Sequence, residues 1–250
     1  MNQVWLYSII SVLIVSIIPL GGIVILGIKL DRLKKILIYL VSFSAGALFG
    51  DAFIHLLPEL IRGGNYTSMA AIYIIVGLLM FFVLEKFVHW QHCHMPIHKH
   101  HVHPFAYMNL LGDGLHNFID GLIIAGSYVV SIPVGVATTI AVILYEIPQE
   151  IGDLGVMIYA GFSRVKAILL HLATGLTAVL GTLLGLWLTE FFANIETLLI
   201  SIAIGGFIYI AGSDLIPELH KETNAKISLM QIFFFILGVC VMLALLLLEV

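Results

Sequence analysis

The chain has 250 residues, of which 61% are hydrophobic and only 10% are charged, and its formal net charge is −4. Soluble domains carry roughly 25% charged residues, so this composition excludes a water-soluble globular protein. No basic cluster suggests a nucleic-acid partner.

The apolar segments have the length of membrane spans. A helix needs about 20 apolar residues to cross roughly 30 Å of hydrocarbon, and these segments are far longer than the strands of a membrane β-barrel. We predict an all-α polytopic membrane protein, a single transmembrane domain over residues 1–250 with eight helices. The predicted spans are 4–28, 35–61, 69–90, 104–130, 133–162, 166–190, 195–219 and 227–249.

The first span is followed, not preceded, by basic residues, and it is longer than the apolar core of a signal peptide. We therefore expect it to stay in the membrane. With the N-terminus outside, the inner connections hold ten Lys and Arg residues and the outer connections hold only Arg62. The positive-inside rule then predicts that both termini lie outside. We expect the plasma membrane as the location.

The second and seventh spans end in similar sequences, Leu-Pro-Glu-Leu (57–60) and Ile-Pro-Glu-Leu (216–219). The same alignment pairs Gly46 with Gly205. Because the two spans cross the bilayer in opposite directions, the pattern predicts inverted repeats, helices 1–3 and 6–8, around helices 4 and 5. Chance similarity is the alternative, since proline and glutamate are common at helix ends.

Ionisable side chains lie toward the ends of the same two spans. Asp51, His55 and Glu59 form an i, i+4, i+8 stripe at the outer end of span two and could guide incoming cations or protons. Asp214 and Glu218 lie toward the inner end of span seven and could guide exit. Capping and interhelical hydrogen bonding are the alternative role for both groups.

The connection between spans three and four, residues 89–103, is the longest polar segment and is rich in histidine. Such a composition is typical of metal-binding tracts, and on the cytoplasmic side it would sense, buffer or accept the metal. A solvated loop with incidental affinity is the alternative. The candidate ligands are His92, Cys93, His94, His98, His100, His101 and His103.

Spans four and five carry polar stripes at helical spacing. The residues are Asp113, His116, Asn117 and Asp120 in span four, and Glu146, Gln149, Glu150 and Asp153 in span five. An ionised carboxylate at the bilayer centre costs about 2.5–3.5 kcal/mol, and neither span has a Lys or Arg in its middle. We predict a divalent transition metal as the counter-charge, because imidazole with oxygen ligands suits such ions. A proton relay or a hydrogen-bonded polar core is the alternative.

Pro148 interrupts the hydrogen bonding of span five and leaves the carbonyl of Leu144 without its helical partner. At membrane depth such a carbonyl is satisfied by protein, water or an ion. A carbonyl ligand and a simple kink both agree with this pattern.

Two motifs resemble those of the ZIP (Zrt/Irt-like) metal transporters. Residues 116–121 read HNFIDG and residues 146–153 read EIPQEIGD, similar to the family's HNFxDG in helix four and HExPHExGD in helix five. Residues 109–113 (NLLGD) and 50–59 (GDAFIHLLPE) also resemble this branch. The resemblance covers essentially the whole chain.

The resemblance implies an eight-helix fold with inverted repeats and transport of Zn, Fe, Mn or related ions toward the cytoplasm by alternating access. Carried over by position, the main metal site would contain His116, Asp120 and Gln149, and an adjacent site would contain Asn117, Glu146 and Glu150.

The sequence departs from the family pattern at Tyr145 and Gln149, which replace the two histidines of HExPHE. A tyrosine hydroxyl is neutral near pH 7 and is a poor ligand, which leaves His116 as the one sure nitrogen ligand. We expect relaxed selectivity for zinc rather than loss of transport. His171 in span six is either a second nitrogen ligand or a core histidine.

We predict a transporter and not an enzyme, with no cofactor and with Zn as the expected cargo, Fe, Mn and Cd remaining open. The sequence contains no GxxxxGK[ST] motif, so ATP is not the expected energy source. The alternatives are an intramembrane metal-dependent hydrolase, which would need an open metal position and a general base, and a metal sensor without transport. Metal ions and the bilayer are the expected partners, and a homodimer is left open.

Overall fold

The structure is a computed structural model that describes residues 2–21, 30–64, 67–89, 104–192 and 195–248. The predicted ligands of the histidine-rich connection, His92 to His103, lie outside the described residues. Within the described ranges the chain is helical and contains no strand. The predicted all-α fold is therefore confirmed.

Eight helices run through the described residues, one for each predicted span. They are α1 (Asn2–Ser16, extended by the 3-10 turn Ile18–Gly21), α2 (Leu30–Gly50, continued by Asp51–Leu56 and Leu57–Arg62), α3 (Ser68–His89), α4 (Pro104–Val130), α5 (Ile132–Tyr159), α6 (Arg164–Gly175 and Thr177–Phe191), α7 (Ile195–Tyr209, continued by Ile210–Leu215 and Ile216–Leu219) and α8 (Ala225–Leu245, followed by the 3-10 turn Leu246–Leu248). Seven of these described helices have the length and hydropathy of a membrane span. The exception is α4, because its polar stripe lowers the mean hydropathy.

Side-chain caps fix where three of the helices begin. The hydroxyl of Ser131 accepts from the backbone N–H of Val134 at the start of α5, and Ser163 caps α6 in the same way. The side chain of Asn224 caps α8. Gly161, with φ +99°, lies in the tight turn after α5. Such caps satisfy the orphan N–H groups of a helix start, and the short turns keep α4, α5 and α6 close together.

The helices α2 and α7 change to π-helical geometry at corresponding positions. The π-helical segments are Asp51–Leu56 and Ile210–Leu215. Each lies at the same distance before the proline of the repeated sequence, Pro58 and Pro217. A π-helical turn holds one more residue than an α-helical turn and is rare outside functional regions. The shared position agrees with the predicted repeat.

Glycines bring the helices of the two repeats together in matching pairs. A Cβ at Gly46 of α2 would lie 2.0 Å from the carbonyl oxygen of Phe235 in α8, and one at Gly205 of α7 would lie 2.0 Å from that of Ile74 in α3. The converse pairs are Gly238 with the carbonyl oxygen of Phe43 at 2.2 Å and Gly77 with that of Ile202 at 2.4 Å. Packing of α2 on α8 thus corresponds to packing of α7 on α3, in agreement with inverted repeats.

The helix α4 lies against α5, α6 and α7, and two glycines allow close contact with α6. A Cβ at Gly121 would lie 1.9 Å from the carbonyl oxygen of Ala178, and one at Gly181 would lie 2.0 Å from that of Phe118. The hydroxyl of Thr182 donates to the carbonyl of Gly121 at 3.0 Å. These contacts hold the polar stripe of α4 away from lipid.

Candidate metal centre

The stripes of α4 and α5 meet at His116. Its Nε2 atom lies 3.7 Å from Oδ2 of Asp120 and 3.9 Å from Oε1 of Glu146. All three residues are buried, and their ligand atoms lie within 4.8 Å of one another. Metal ions bind imidazole and carboxylate atoms at about 2.0–2.2 Å, so one ion could contact all three with small side-chain shifts. We call this trio the central cluster.

Three of the four carboxylate oxygens in the central cluster are buried without a hydrogen-bond donor among the described residues. In the described part of the chain, neither oxygen of Asp120 and not Oε1 of Glu146 has a hydrogen-bond partner. Two buried carboxylates without donors or cations are costly in a bilayer. A bound divalent cation would offset that cost.

Aromatic rings enclose the imidazole of His116. The hydroxyl oxygen of Tyr145 lies 3.2 Å from Nε2 of His116, within hydrogen-bond distance. The ring of Phe81 meets the imidazole edge-on at a centroid distance of 5.2 Å, and Phe207 packs against Tyr145. Tyr145 therefore points into the site, at the nitrogen that faces both carboxylates.

A cavity of about 280 Å³ reaches the central cluster from one side. It lies toward the end at which α3, α5 and α7 finish and α4 begins. Its polar lining includes Glu85, Asn109, Asp113, His116, Gln149, Asp153 and Asp214. The amide of Asn109 donates to Asp153 at 3.0 Å, and the hydroxyl of Tyr209 donates to Glu85. Gln149 and Asp214 thus share one cavity with His116.

A second cluster separates residues that the resemblance put together. Nδ1 of His171 lies 3.2 Å from Oδ2 of Asp113 and 3.2 Å from Oε2 of Glu150. Glu146 and Glu150 therefore occupy different clusters. The amide of Asn117 donates to Oδ1 of Asp113 at 2.8 Å.

The candidate guides in α2 make contacts between helices. The hydroxyl of Thr138 in α5 donates to Oδ2 of Asp51 at 2.9 Å. Nε2 of His55 lies 2.8 Å from the carbonyl oxygen of Met242 in α8. Both residues are buried. This geometry is that of interhelical hydrogen bonding, the alternative given for Asp51 and His55.

The carbonyl released by Pro148 has a protein partner. The hydroxyl of Ser44 in α2 lies 2.6 Å from the oxygen of Leu144, to which it donates. It also lies 2.8 Å from the carbonyl oxygen of Leu40 in its own helix. Ser44 was not among the predicted site residues, although a serine within an apolar span is a signal for such a bond.

Comparison with known proteins gives consistent matches. A profile of the family described as ZIP zinc transporter matches residues 2–105 and 91–246. The zinc transporter YKE4 of Saccharomyces cerevisiae is 31% identical, over 94% of this chain and 79% of the relative. The zinc transporter ZIP13 of Danio rerio is 32% identical, over 85% of this chain and 75% of the relative. The zinc transporter ZIP13 of Pongo abelii is 30% identical, over 95% of this chain and 77% of the relative.

Proposed function

This chain belongs to the ZIP zinc transporter family and transports divalent metal ions, and we propose that the ion binds at the central cluster on its way to the cytoplasm. The observation that carries the proposal is the convergence of His116, Asp120 and Glu146, with donor-free carboxylate oxygens, at the head of a cavity. An ion in the cluster would be released into that cavity. Gln149 and Asp214 line the cavity together with His116.

Alternating access is the mechanism we propose. The described conformation has its cavity on the side that the positive-inside rule makes cytoplasmic, so it corresponds to the inward-facing state. On the opposite side, Ile123, Val142 and Ile204 are buried in one hydrophobic cluster. An outward-facing state requires these residues to separate while the cytoplasmic cavity closes.

Zinc is the cargo that we propose first, because the relatives are named zinc transporters. Fe, Mn and Cd are further candidates, since Tyr145 and Gln149 stand where the family pattern has histidine. The tract from His92 to His103 is proposed as an accessory segment that binds metal on the cytoplasmic side.

The chain is a multi-pass membrane protein, and we propose that residues 1–250 form one domain with both termini outside the plasma membrane, as a monomer or a homodimer. We propose no enzymatic activity. The relatives are named transporters, whereas a hydrolase would need a metal-bound water and a general base. A sensor without transport would bind metal and move none.

Metal uptake into proteoliposomes tests the proposal. Zn, Fe, Mn and Cd are supplied with and without a pH gradient. His116→Ala, Asp120→Ala and Glu146→Gln should each reduce uptake at least tenfold while the protein still purifies as a folded species. His220→Ala, at an exposed histidine, is the matched control and should transport normally. Near-normal uptake by all three variants would overturn the proposed site, and no uptake by the parent would favour the sensor or the hydrolase.

A further inference from the structure

Three metal-ligating side chains meet outside the central cluster. Asp113 of α4, Glu150 of α5 and His171 of α6 present ligand atoms that lie within 4.8 Å of one another. His171 is 1% exposed and both carboxylates are 5% exposed. None of the three belongs to the central cluster, which α4 and α5 form without α6.

Among the described residues, the imidazole of His171 and one oxygen of Glu150 are buried without hydrogen bonds that would explain their burial. In the described ranges, neither ring nitrogen of His171 and not Oε1 of Glu150 has a hydrogen-bond partner. The 3.2 Å distances from Nδ1 would suit an ion pair with a protonated imidazole. A divalent ion bound between the same three side chains would take the place of that proton and leave the imidazole neutral.

Neighbouring side chains hold Asp113 in place for this role. Asn117 donates to Oδ1 of Asp113 at 2.8 Å, and the hydroxyl of Thr174 donates to Oδ2 at 2.5 Å. Hydrogen bonds of this kind orient the carboxylates that bind metals. Two carboxylates and one neutral imidazole would also balance the charge of one divalent ion.

The group lies between two cavities. Asp113 lines the cavity that reaches His116. Glu150 and His171 line a second cavity of about 330 Å³, which is bordered by Ile17 and Pro19 at the end of α1. The group therefore adjoins a cavity whose lining does not include His116.

We propose that Asp113, Glu150 and His171 form a second binding site for a divalent transition-metal ion, separate from the central cluster. Imidazole nitrogen and carboxylate oxygen together suit Zn²⁺, Fe²⁺ and Mn²⁺. The inference rests on the proposed function only for the class of ion. It concerns binding, so it can fail while transport through the central cluster stands.

Equilibrium dialysis of the full-length protein against Cd²⁺ tests the site by counting tightly bound ions. His171→Gln should bind one ion fewer than the parent, His116→Ala should bind one fewer, and the double variant should bind two fewer. His220→Gln is the control and should bind as many ions as the parent. An unchanged count in folded His171→Gln would overturn the second site. Loss of two ions in His116→Ala would show that the second site does not bind metal independently of the central cluster.

A cysteine probe gives a readout that a purely structural ion pair would not produce. In a Cys93→Ser background, His171→Cys should give the near-ultraviolet charge-transfer band of a Co²⁺–thiolate bond. Adding Glu150→Gln should weaken the Co²⁺ affinity at least tenfold, because one carboxylate ligand is lost. Leu169→Cys, on the exposed face of α6, should give no band. No band from folded His171→Cys, or an affinity that does not depend on Glu150, would identify the group as an ion pair that holds three helices together.

Discussion

The nitrogen of His116 that faces the two carboxylates also faces the hydroxyl of Tyr145, 3.2 Å away. One imidazole nitrogen cannot bind a metal through its lone pair and keep a hydrogen bond with tyrosine at the same time. Metal binding therefore has to displace the tyrosine hydroxyl. At the level of single residues, this competition is the main difference from a site that has histidine at position 145.

Replacing the tyrosine should sharpen selectivity. Tyr145→His would add a second imidazole beside the central cluster, and imidazole favours Zn over Mn. The zinc-to-manganese ratio in competition uptake should rise above that of the parent. Tyr145→Phe is the control, since it removes the hydroxyl but adds no ligand, and its ratio should stay near the parent's. An unchanged ratio in an active Tyr145→His variant would place residue 145 outside the selectivity site.

A second prediction at this scale concerns the carbonyl that Pro148 releases. Ser44→Ala removes the donor to the Leu144 carbonyl and should destabilise the protein by about 1–3 kcal/mol, the usual cost of an unsatisfied buried group. Ser42→Ala is a matched control, because the hydroxyl of Ser42 donates only to Ile38 in its own helix. Thermal unfolding in detergent should show a lower midpoint for Ser44→Ala than for Ser42→Ala. Equal midpoints would show that the carbonyl has another partner.

The candidate site was partly predictable because helical periodicity places residues on a face. Spacing of three or four brought His116 and Asp120 together in prediction and in the structure. It could not decide that Glu146 and Glu150 belong to different clusters, since that depends on how α6 places His171 against α5. Contacts across helices, such as that of Ser44, also depend on interhelical register, which the pattern of one helix does not contain.

At the level of helices, the structure follows the hydropathy pattern closely, and the eight predicted spans correspond to α1–α8 in the described residues. Hydropathy reports which residues avoid water and is insensitive to the hydrogen-bond register inside a helix. The π-helical segments Asp51–Leu56 and Ile210–Leu215 were therefore not predicted. The close glycine contacts depend on helix pairing and were not predicted either, although Gly46 and Gly205 appeared in the repeat alignment.

The glycine contacts predict a sharp contrast between substitutions. Gly46→Ala would put a methyl group 2.0 Å from the Phe235 carbonyl oxygen and should destabilise the packing of α2 on α8, by about 1–3 kcal/mol or more. Gly205→Ala should behave similarly at the α7–α3 contact. Gly155→Ala, which would meet nothing within 4 Å, should change stability by less than about 1 kcal/mol. Detergent unfolding curves measure all three, and a Gly46→Ala variant as stable as Gly155→Ala would contradict this close packing.

At the level of the whole molecule, the two repeats surround α4 and α5, and the cavity that contains His116 lies on one side of the central cluster. Leu84 lines the cavity. Ala203 is fully buried on the far side. Leu84 and Ala203 should therefore differ in accessibility to solvent. That difference tests both the inward-facing conformation and the orientation of the protein in the membrane.

Thiol accessibility should follow this asymmetry. With Cys93 and Cys240 replaced by Ser, Leu84→Cys should react with a membrane-impermeant reagent applied from the cytoplasmic side. Ala203→Cys should react slowly from either side, because its contacts close the path. With saturating Zn²⁺ the protein should still change between its inward-facing and outward-facing states. The labelling rates of Leu84→Cys and Ala203→Cys should therefore both change. Labelling of Leu84→Cys only from outside would reverse the proposed orientation.

The π-helical segment of α2 also affects how well this helix tolerates the deletion of a single residue. Deleting one residue from an ordinary membrane helix rotates all later side chains by about 100° and shortens the helix by about 1.5 Å. A π-helical turn already contains one residue more than the α-helix on either side. A one-residue deletion within Asp51–Leu56 can therefore be absorbed as a regular helix, whereas the same deletion beside Gly46 would move the glycine out of its contact with Phe235. Tolerance to deletion along α2 should be concentrated in this turn, and the corresponding tolerance in α7 should lie in Ile210–Leu215.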